Sequence, residues 1–211
     1  LGVNVIGKEI FTLLGEYTPT MIKSAILGTT PPESCEIEET IPARPPVLCP
    51  GCPHRGVFYV LKKLGLVVSG DIGCYTLGMA PPLSAIDSVL CMGASVSGVH
   101  GFNKANSGES AGKTVAVIGD STFMHSGMTG LANIAYNGTN STVIIVDNSI
   151  TGMTGHQQNP TTGYNIKGDP ATKIDLEALC HALGIERVRV VDPYDLKATE
   201  KAIMEELAVD A

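Results

Sequence analysis

Two short polar clusters have the ligands and the spacing that a magnesium–phosphate site requires. Asp120, in Gly119-Asp120-Ser121, closes one apolar segment, and Asn148 closes the next apolar segment 28 positions later. Mg²⁺ takes oxygen ligands at about 2.0–2.1 Å in an octahedron and commonly joins a carboxylate to substrate phosphates. Asp120 offers a carboxylate, Asn148 offers an amide oxygen, and a nearby backbone carbonyl could add a third. Gly119 permits close backbone approach, and a helix after Ser121 would aim N–H groups at a phosphate.

A second cluster contains two cysteines at the spacing of metal ligands. In Cys49-Pro50-Gly51-Cys52, two thiols flank a glycine that lets the chain bend around one metal ion or one iron–sulfur cluster. Cys74 follows the next apolar segment, so the three thiols can converge. A zinc knuckle and a redox-active dithiol are the other uses of such a pattern.

The other cysteines carry weaker signals. Cys91 and Cys180 lie among apolar residues, and we expect both to be small core residues. They are also the local alternatives for a fourth thiolate ligand. Cys35 lies in a polar segment and has no partner signal.

Three histidines follow the polar clusters closely enough to reach the same site. His54 comes directly after the cysteine pair, and we expect either a contact with substrate or diphosphate, or a polar residue that begins a helix. His125 lies just after the Asp120 loop, and His156 follows the Asn148 loop. His54 and His125 are the candidates for catalysis, whereas His100 and His181 lie in helical patterns and are expected to be structural.

The elements that must position these residues alternate between helix and short apolar strand from residue 47 onward. We predict strands over 66–69, 88–92, 114–118, 142–146 and 188–191, and helices over 55–64, 94–105, 127–136, 176–183 and 194–207. Short Val/Ile-rich runs between helices indicate an α/β fold, a mostly parallel sheet with helices on both faces. A final strand is expected after residue 211. Because ligands bind where parallel strands end, the four loops that follow the first four strands should meet at one edge of the sheet.

The first 45 residues differ from the rest of the chain. Apolar spacing over 5–14 and 19–27 predicts two short helices, and the stretch over 29–46 is rich in Pro, Glu and Thr, as in a linker. We therefore predict a helical segment and linker over 1–45 and an α/β domain over 46–211.

Composition excludes several classes of protein. The net charge of -7 and the pI near 5.2 provide no basic footprint for nucleic acid. No apolar run approaches the roughly 20 residues of a membrane helix, and the amino terminus does not resemble an export signal. We expect a cytoplasmic protein, whose six cysteines serve metal or redox chemistry rather than disulfides.

The Gly-Asp-Ser and Asp-Asn clusters resemble the diphosphate motif of thiamine-diphosphate enzymes, Gly-Asp-Gly followed after some 25 to 30 residues by Asn-Asn. The sequence departs from that motif at Ser121 and Asp147 and matches it at Asp120 and Asn148. The resemblance implies that Ile150 supplies the carbonyl ligand of Mg²⁺, and that Met92 before Gly93 supports the bent shape of the cofactor. The residues that it implies for cofactor binding are Gly119, Asp120, Ser121, Thr122, Asn148, Ile150, Gly152, Met153, Asp71, Ile72, Gly73, Cys74, Tyr75, Met92 and Gly93.

The positions of the cysteines make the resemblance to one group of thiamine-diphosphate enzymes more specific. Cys49-Pro-Gly-Cys52 together with Gly70-Asp-Ile-Gly-Cys74 is similar to the 2-oxoacid:ferredoxin oxidoreductases, in which three such cysteines ligate a [4Fe–4S] cluster. The fourth ligand would then lie beyond residue 211. The runs 49–56, 70–78 and 146–157 resemble in particular the large subunit of the indolepyruvate-type enzymes, over about residues 45 to 211.

That resemblance implies oxidative decarboxylation of a 2-oxoacid, indolepyruvate or another aryl pyruvate, to an acyl-coenzyme A, with electrons passed to ferredoxin. It also implies a smaller partner subunit and further domains, one of which would supply the glutamate that activates the aminopyrimidine ring. We therefore expect the isolated chain to bind cofactor weakly and to be inactive. The alternatives are a non-redox thiamine-diphosphate decarboxylase subunit and a non-catalytic nucleotide- or zinc-binding module.

Overall fold

The computed structural model describes residues 2–33, 38–107 and 109–209. The chain divides into two compact units, residues 1–44 and 45–211. Cys35 lies outside the described residues, so its expected lack of a partner is not addressed by the structure.

Among its described residues, 2–33 and 38–44, the first unit contains one α-helix, α1 (Pro19–Leu27). Thr18 caps its start, because the hydroxyl oxygen accepts a hydrogen bond from the Met21 N–H at 3.2 Å, and Gly28 ends it in the left-handed conformation. The helix predicted over 5–14 is wrong: only a three-residue 3₁₀ turn, Lys8–Ile10, forms there, and none of its residues is buried. A short helix without an apolar surface to pack against does not offset its nucleation cost.

The second unit is built on a parallel sheet, which confirms the predicted α/β class. Its strands are β1 (Val67–Gly70), β2 (Ser88–Val89), β3 (Thr114–Gly119) and β4 (Thr142–Val146), in the order β2-β1-β3-β4. All three pairings are parallel. Every residue of β3 is buried, as a central strand covered on both faces requires.

Helices cover both faces of this sheet. They are α2 (His54–Leu64), α3 (Ala94–Ala105), α4 (Asp120–Thr122), α5 (Met128–Asn137), α6 (Leu176–Ala182) and α7 (Leu196–Leu207). Val115 and Val117 of β3 belong to one apolar cluster with residues of α2 and α7, whereas the alternate residues Ala116 and Ile118 belong to a second with residues of α3 and α5. No helix in the three described ranges is long and apolar enough to cross a bilayer.

The predicted strand over 188–191 is wrong, since this segment pairs with no described strand. Arg187 and Arg189, on either side of Val188, form ion pairs with Glu206 and Glu205 of α7, so the segment is held by that helix. A cleft of about 1090 Å³ is lined both by β4 and by this segment. The strand predicted over 88–92 is also shorter than expected, because only Ser88 and Val89 pair with β1.

The loops that carry the polar clusters leave the sheet at one edge. Since all four strands are parallel, the residues that follow Gly70, Val89, Gly119 and Val146 lie beyond the same carboxyl edge. The convergence predicted from the sequence is therefore confirmed at the level of the fold.

Candidate cofactor site at the carboxyl edge of the sheet

Asp120 begins a continuous helical run directly after β3. The run passes from α4 through a π-helical turn, Phe123–Gly127, into α5, so the helix predicted over 127–136 starts seven residues earlier than expected. π-helical turns within α-helices are frequent at functional sites. Gly119 is required by packing: a β-carbon there would lie 2.4 Å from the Tyr75 ring.

The three oxygen donors expected for a divalent cation converge. One end of the Asn148 amide lies 3.3 Å from Asp120 Oδ1 and 2.9 Å from the Ile150 carbonyl oxygen. Neighbouring ligands in an octahedron of radius about 2.1 Å are about 3.0 Å apart. This end of the amide is its oxygen, so three oxygens face one another as around a cation, and only a half-turn of the amide would let its NH₂ group donate to the two acceptors instead. The donor set therefore fits Mg²⁺ in chemistry and in spacing.

Two residues that the sequence argument missed hold the Asp120 carboxylate. Asn159 Nδ2 and Thr161 Oγ1 donate to Asp120 Oδ2 at 3.1 and 2.8 Å. Burial raises the pKa of Asp120, and the bonds from Thr161 and Asn159 oppose that rise. The available signal was the polar run Asn159-Pro160-Thr161-Thr162, which follows the Asn148 loop without helical or strand periodicity.

Both departures from the thiamine-diphosphate motif have a structural role. Asp147 Oδ1 accepts from the Ser149 N–H at 2.6 Å, which forms the turn in which Ser149 adopts a φ of 53°. The Ser121 hydroxyl lies 2.7 Å from the Thr151 hydroxyl, so it joins the Asp120 loop to the Asn148 loop. A phosphate contact from Ser121 would therefore come most directly from its backbone N–H.

The other predicted diphosphate contacts differ in accessibility. Gly152 is partly buried and Met153 is exposed, so both can face a ligand. Thr122 is buried, and its hydroxyl donates to the Ile72 carbonyl at 2.9 Å, so its side chain fastens the helix start to the loop after β1.

The loop after β1 divides into accessible and supporting residues. Ile72 is 39% exposed and Gly73 is partly buried. Asp71 is fully buried, and its carboxylate accepts from the N–H groups of Ile72, Gly93 and Ser95. Tyr75 is buried and donates to the Ile72 carbonyl at 2.9 Å. The predicted direct cofactor contacts of Asp71 and Tyr75 are not compatible with this burial; both residues support the loop from beneath.

Met92 and Gly93 connect β2 to α3. Met92 is 43% exposed, so it is not a core residue. Gly93 has a φ of +86°, and a β-carbon there would lie 2.5 Å from the Ser126 carbonyl oxygen. This close approach places the start of α3 against the π-helical turn that follows Asp120.

Cys49 and Cys52 lie close enough to Cys74 for their charges to act on it. Burial raises the pKa of Cys74, and the charges of Cys52 and Cys49 raise it further. A β-carbon on Gly152 would lie 3.2 Å from Cys74 Sγ, so this thiol also touches the Asn148 loop. Cys180 is buried in the core as expected, whereas Cys91 is exposed, which contradicts its predicted core position.

A zinc knuckle is not supported by this arrangement. Within residues 2–33, 38–107 and 109–209, no three Cys, His, Asp or Glu side chains are arranged to hold one metal ion. Zinc would require its ligands around a single centre, with sulfurs at about 2.3 Å. An iron–sulfur cluster binds each thiolate to a different iron atom and spreads its ligands more widely.

The histidines separate into one buried and several peripheral side chains. His54 is 3% exposed beside Tyr75, and burial lowers its pKa to about 4, so it is neutral at physiological pH. His125 lies exposed on the π-helical turn, and His156 is exposed at a φ of 63°. His100 bonds with Thr139, and His181 bonds with the Ile185 carbonyl, as structural residues do.

Comparison with known proteins identifies the cofactor that this geometry serves. Residues 71–210 match the family model described as thiamine pyrophosphate enzyme, C-terminal TPP binding domain. The chain belongs to this family. The match covers the loops after β1, β2, β3 and β4, so this thiamine-pyrophosphate-binding domain contains Asp120, Asn148 and their neighbours.

Curated relatives of this thiamine-pyrophosphate-binding domain are longer proteins. The chain is 38% identical over its whole length to indolepyruvate oxidoreductase subunit IorA of Pyrococcus horikoshii, and 41% identical to IorA of Thermococcus kodakarensis. It spans 36% of the length of each of these relatives.

Solved structures show the same fold. A 2-oxoglutarate:ferredoxin oxidoreductase from Magnetococcus marinus, with 2-oxoglutarate, coenzyme A and succinyl-CoA bound, aligns with a TM-score of 0.64 at 19% identity, over 78% of this chain and 60% of that one. Benzoylformate decarboxylase from Polynucleobacter necessarius aligns with a TM-score of 0.51 at 17% identity, over 89% and 37% of the two chains. At these identities the likeness concerns the fold of the thiamine-pyrophosphate-binding domain alone.

Proposed function

We propose that the chain is the cofactor-binding part of an oxidoreductase that oxidatively decarboxylates a 2-oxoacid, indolepyruvate or another aryl pyruvate, to an acyl-coenzyme A. The electrons pass to ferredoxin, and other domains and a smaller subunit complete the enzyme. The proposal is supported by the names of the curated relatives and by one observation of the site: the Cys74 thiol, on the loop after β1, lies against the loop that carries the oxygen donors Asn148 and Ile150.

Asp120, Asn148 and the Ile150 carbonyl are the proposed ligands of Mg²⁺. A carboxylate, an amide oxygen and a carbonyl leave three octahedral positions for diphosphate oxygens and water. The Ser121 N–H, at the start of the helical run, is the proposed donor that neutralises diphosphate charge.

The remaining residues of the site orient the organic part of the cofactor. When bound, thiamine diphosphate supplies the carbanion chemistry by which a 2-oxoacid loses carbon dioxide. Met92, held by Gly93 against the π-helical turn, is the proposed support for its bent shape. Ile72 and Gly73 lie on the loop after β1, and His54 is a neutral side chain whose ring contacts Tyr75 of the same loop.

Cys49, Cys52 and Cys74 are the proposed ligands of a [4Fe–4S] cluster that accepts the electrons one at a time. Cys74 Sγ lies so close to Gly152 that a β-carbon there would be 3.2 Å from the sulfur. A cluster bound by Cys74 would therefore lie next to the loop that is proposed to bind the diphosphate. A non-redox decarboxylase would have no use for this trio of thiols beside its cofactor.

Calorimetric titration of thiamine diphosphate into the complete enzyme that contains this chain, with and without Mg²⁺, tests the cofactor assignment. We expect binding that depends on Mg²⁺ and that is weakened at least about tenfold in Asp120→Asn, because a charged ligand of the cation is lost. Glu177→Gln removes an exposed carboxylate from the first turn of α6 and should leave the affinity unchanged. Equal affinity in Asp120→Asn and wild type would disprove the magnesium site.

A further inference from the structure

The two oxygens of the Asp120 carboxylate have different surroundings. Oδ1 faces the Asn148 amide at 3.3 Å, on the side where the Ile150 carbonyl also lies. Oδ2 accepts from both Asn159 Nδ2 and Thr161 Oγ1. One oxygen is therefore directed at the cation position while the other is held by the protein.

Asn159 uses both ends of its amide in this arrangement. Its NH₂ group donates to Asp120 Oδ2 at 3.1 Å and reaches the Thr151 hydroxyl at 3.4 Å. Its oxygen accepts from the Thr161 N–H at 2.8 Å, which fixes the orientation of the amide. Thr151 in turn pairs with Ser121, so the Asp120 loop and the Asn148 loop are joined through a single polar network.

Thr161 is the most deeply placed member of this network. It is fully buried, and its hydroxyl lies 2.8 Å from Asp120 Oδ2 and 2.6 Å from Asn159 Oδ1. A hydroxyl has one proton, and a bond to a carboxylate is stronger than a bond to a neutral amide oxygen. The proton is thus directed at Asp120.

We propose that Asn159 and Thr161 are positioning residues for the Asp120 carboxylate: they hold Oδ2 so that Oδ1 alone is presented to the cation. The inference rests on the proposed function and extends it to two residues outside the ligand set. A carboxylate held in this way binds through one oxygen and cannot rotate to bind through both.

This restraint favours Mg²⁺ over Ca²⁺. Mg²⁺ demands near-ideal octahedral geometry, whereas Ca²⁺ accepts six to eight ligands and binds carboxylates through one or both oxygens. Releasing Oδ2 should therefore harm Mg²⁺ binding more than Ca²⁺ binding. A general loss of folding would harm both cations alike, which makes the ratio of the two affinities diagnostic.

The test uses Thr161→Val, which keeps the shape of the side chain and removes the hydroxyl, and Thr161→Ser, which keeps the hydroxyl. Thr199→Val is the matched control, because Thr199 is also buried but bonds to the Asp192 carbonyl, away from the site. Mg²⁺ and Ca²⁺ are titrated separately by calorimetry into the complete enzyme carrying each variant, in the presence of excess thiamine diphosphate. Circular dichroism and urea unfolding check that each variant folds.

We expect Thr161→Val to weaken Mg²⁺ binding by about 10- to 100-fold, the usual effect of losing a hydrogen-bond partner of a metal ligand. Ca²⁺ binding should weaken by a smaller factor, so that the preference for Mg²⁺ falls. Thr161→Ser and Thr199→Val should keep the wild-type affinities and preference. If Thr161→Val does not fold, Asn159→Ser, which removes the amide donor to Oδ2, should show the same fall in preference.

Two failures are distinguishable. If the complete wild-type enzyme, with the other domains and the smaller subunit present, shows no cation-dependent binding of thiamine diphosphate, the proposed function fails and this inference fails with it. If the wild type binds but Thr161→Val and Asn159→Ser keep the same Mg²⁺/Ca²⁺ preference, only the positioning role is overturned.

Discussion

The Asp71 carboxylate joins the loop after β1 to the start of α3: its Oδ1 accepts a hydrogen bond from the Gly93 N–H at 2.9 Å, and its Oδ2 accepts from the Ser95 N–H at the same distance. Two of the four loops at the carboxyl edge are therefore held together by one buried side chain. This contact fixes Met92, which immediately precedes Gly93, relative to Ile72.

Asp71→Asn should reduce the free energy of unfolding by about 1–3 kcal/mol, because the amide has one acceptor oxygen and places a buried NH₂ group against a backbone donor. Urea unfolding measures the loss. Asp175→Asn is the control: Asp175 is an exposed N-cap that accepts from the Ala178 N–H, and asparagine caps a helix equally well. Equal stability of the two variants would show that Asp71 does not hold the loops.

Gly93→Ala should destabilise the chain by about 2 kcal/mol or more. The φ of +86° disfavours any side chain, and the new β-carbon would lie 2.5 Å from the Ser126 carbonyl oxygen. Gly101→Ala provides the comparison within α3, the helix that Gly93 precedes, because a β-carbon at Gly101 has nothing within 4 Å and alanine favours helix by up to about 1 kcal/mol. Thermal and urea unfolding of both variants should therefore shift in opposite directions, and a shift in the same direction would contradict the steric argument.

Cys74→Ser should strongly reduce the iron retained after anaerobic reconstitution with iron and sulfide. Cys74 is the proposed ligand that lies against the diphosphate loop, next to Cys49 and Cys52. Cys91→Ser removes an exposed thiol outside this trio and should retain wild-type iron content. Iron and sulfide analysis of the desalted proteins measures the cluster that each variant retains. Loss of iron in Cys91→Ser but not in Cys74→Ser would show that Cys91, rather than Cys74, is a cluster ligand.

His54 should make the cluster-free chain less stable in acid. Burial lowers the folded-state pKa of His54 to about 4, from 6.5 when exposed, so the unfolded chain binds more protons between these two pH values. The free energy of unfolding contributed by this group is therefore fully present above pH 6.5 and falls as the pH drops towards 4, by on the order of 3 kcal/mol in all.

Urea unfolding between pH 4.5 and 7 compares wild type with His54→Gln, in which this part of the pH dependence should disappear. His156→Asn alters an exposed histidine at positive φ, a conformation that asparagine tolerates, and should keep the wild-type pH dependence. A pH dependence that survives in His54→Gln would mean that other groups cause it.

Local sequence patterns predicted an element correctly where they favour the same secondary structure as its packing in the fold. The helix Ala94–Ala105 and the strand Thr142–Val146 have the bounds that their sequences predict. The Val/Ile-rich run favours a strand by itself, whereas the glycine-containing helix depends on the helical spacing of its buried residues Val96 and Val99. Asp120 and Asn148 could be paired in advance for a related reason: parallel strands end at one edge, whatever their detailed packing.

What the sequence alone determined is the α/β class, the edge at which the loops meet and the principal ligand candidates, since these follow from periodicity and residue chemistry within short windows. Only the tertiary structure decided which polar groups are buried together. Residues 188–191 have strand composition but are held by ion pairs to α7, and Asn159 and Thr161 acquire their role through contacts with Asp120, 39 and 41 positions away. Pairing and burial depend on partners distant in the chain, and no local pattern encodes them.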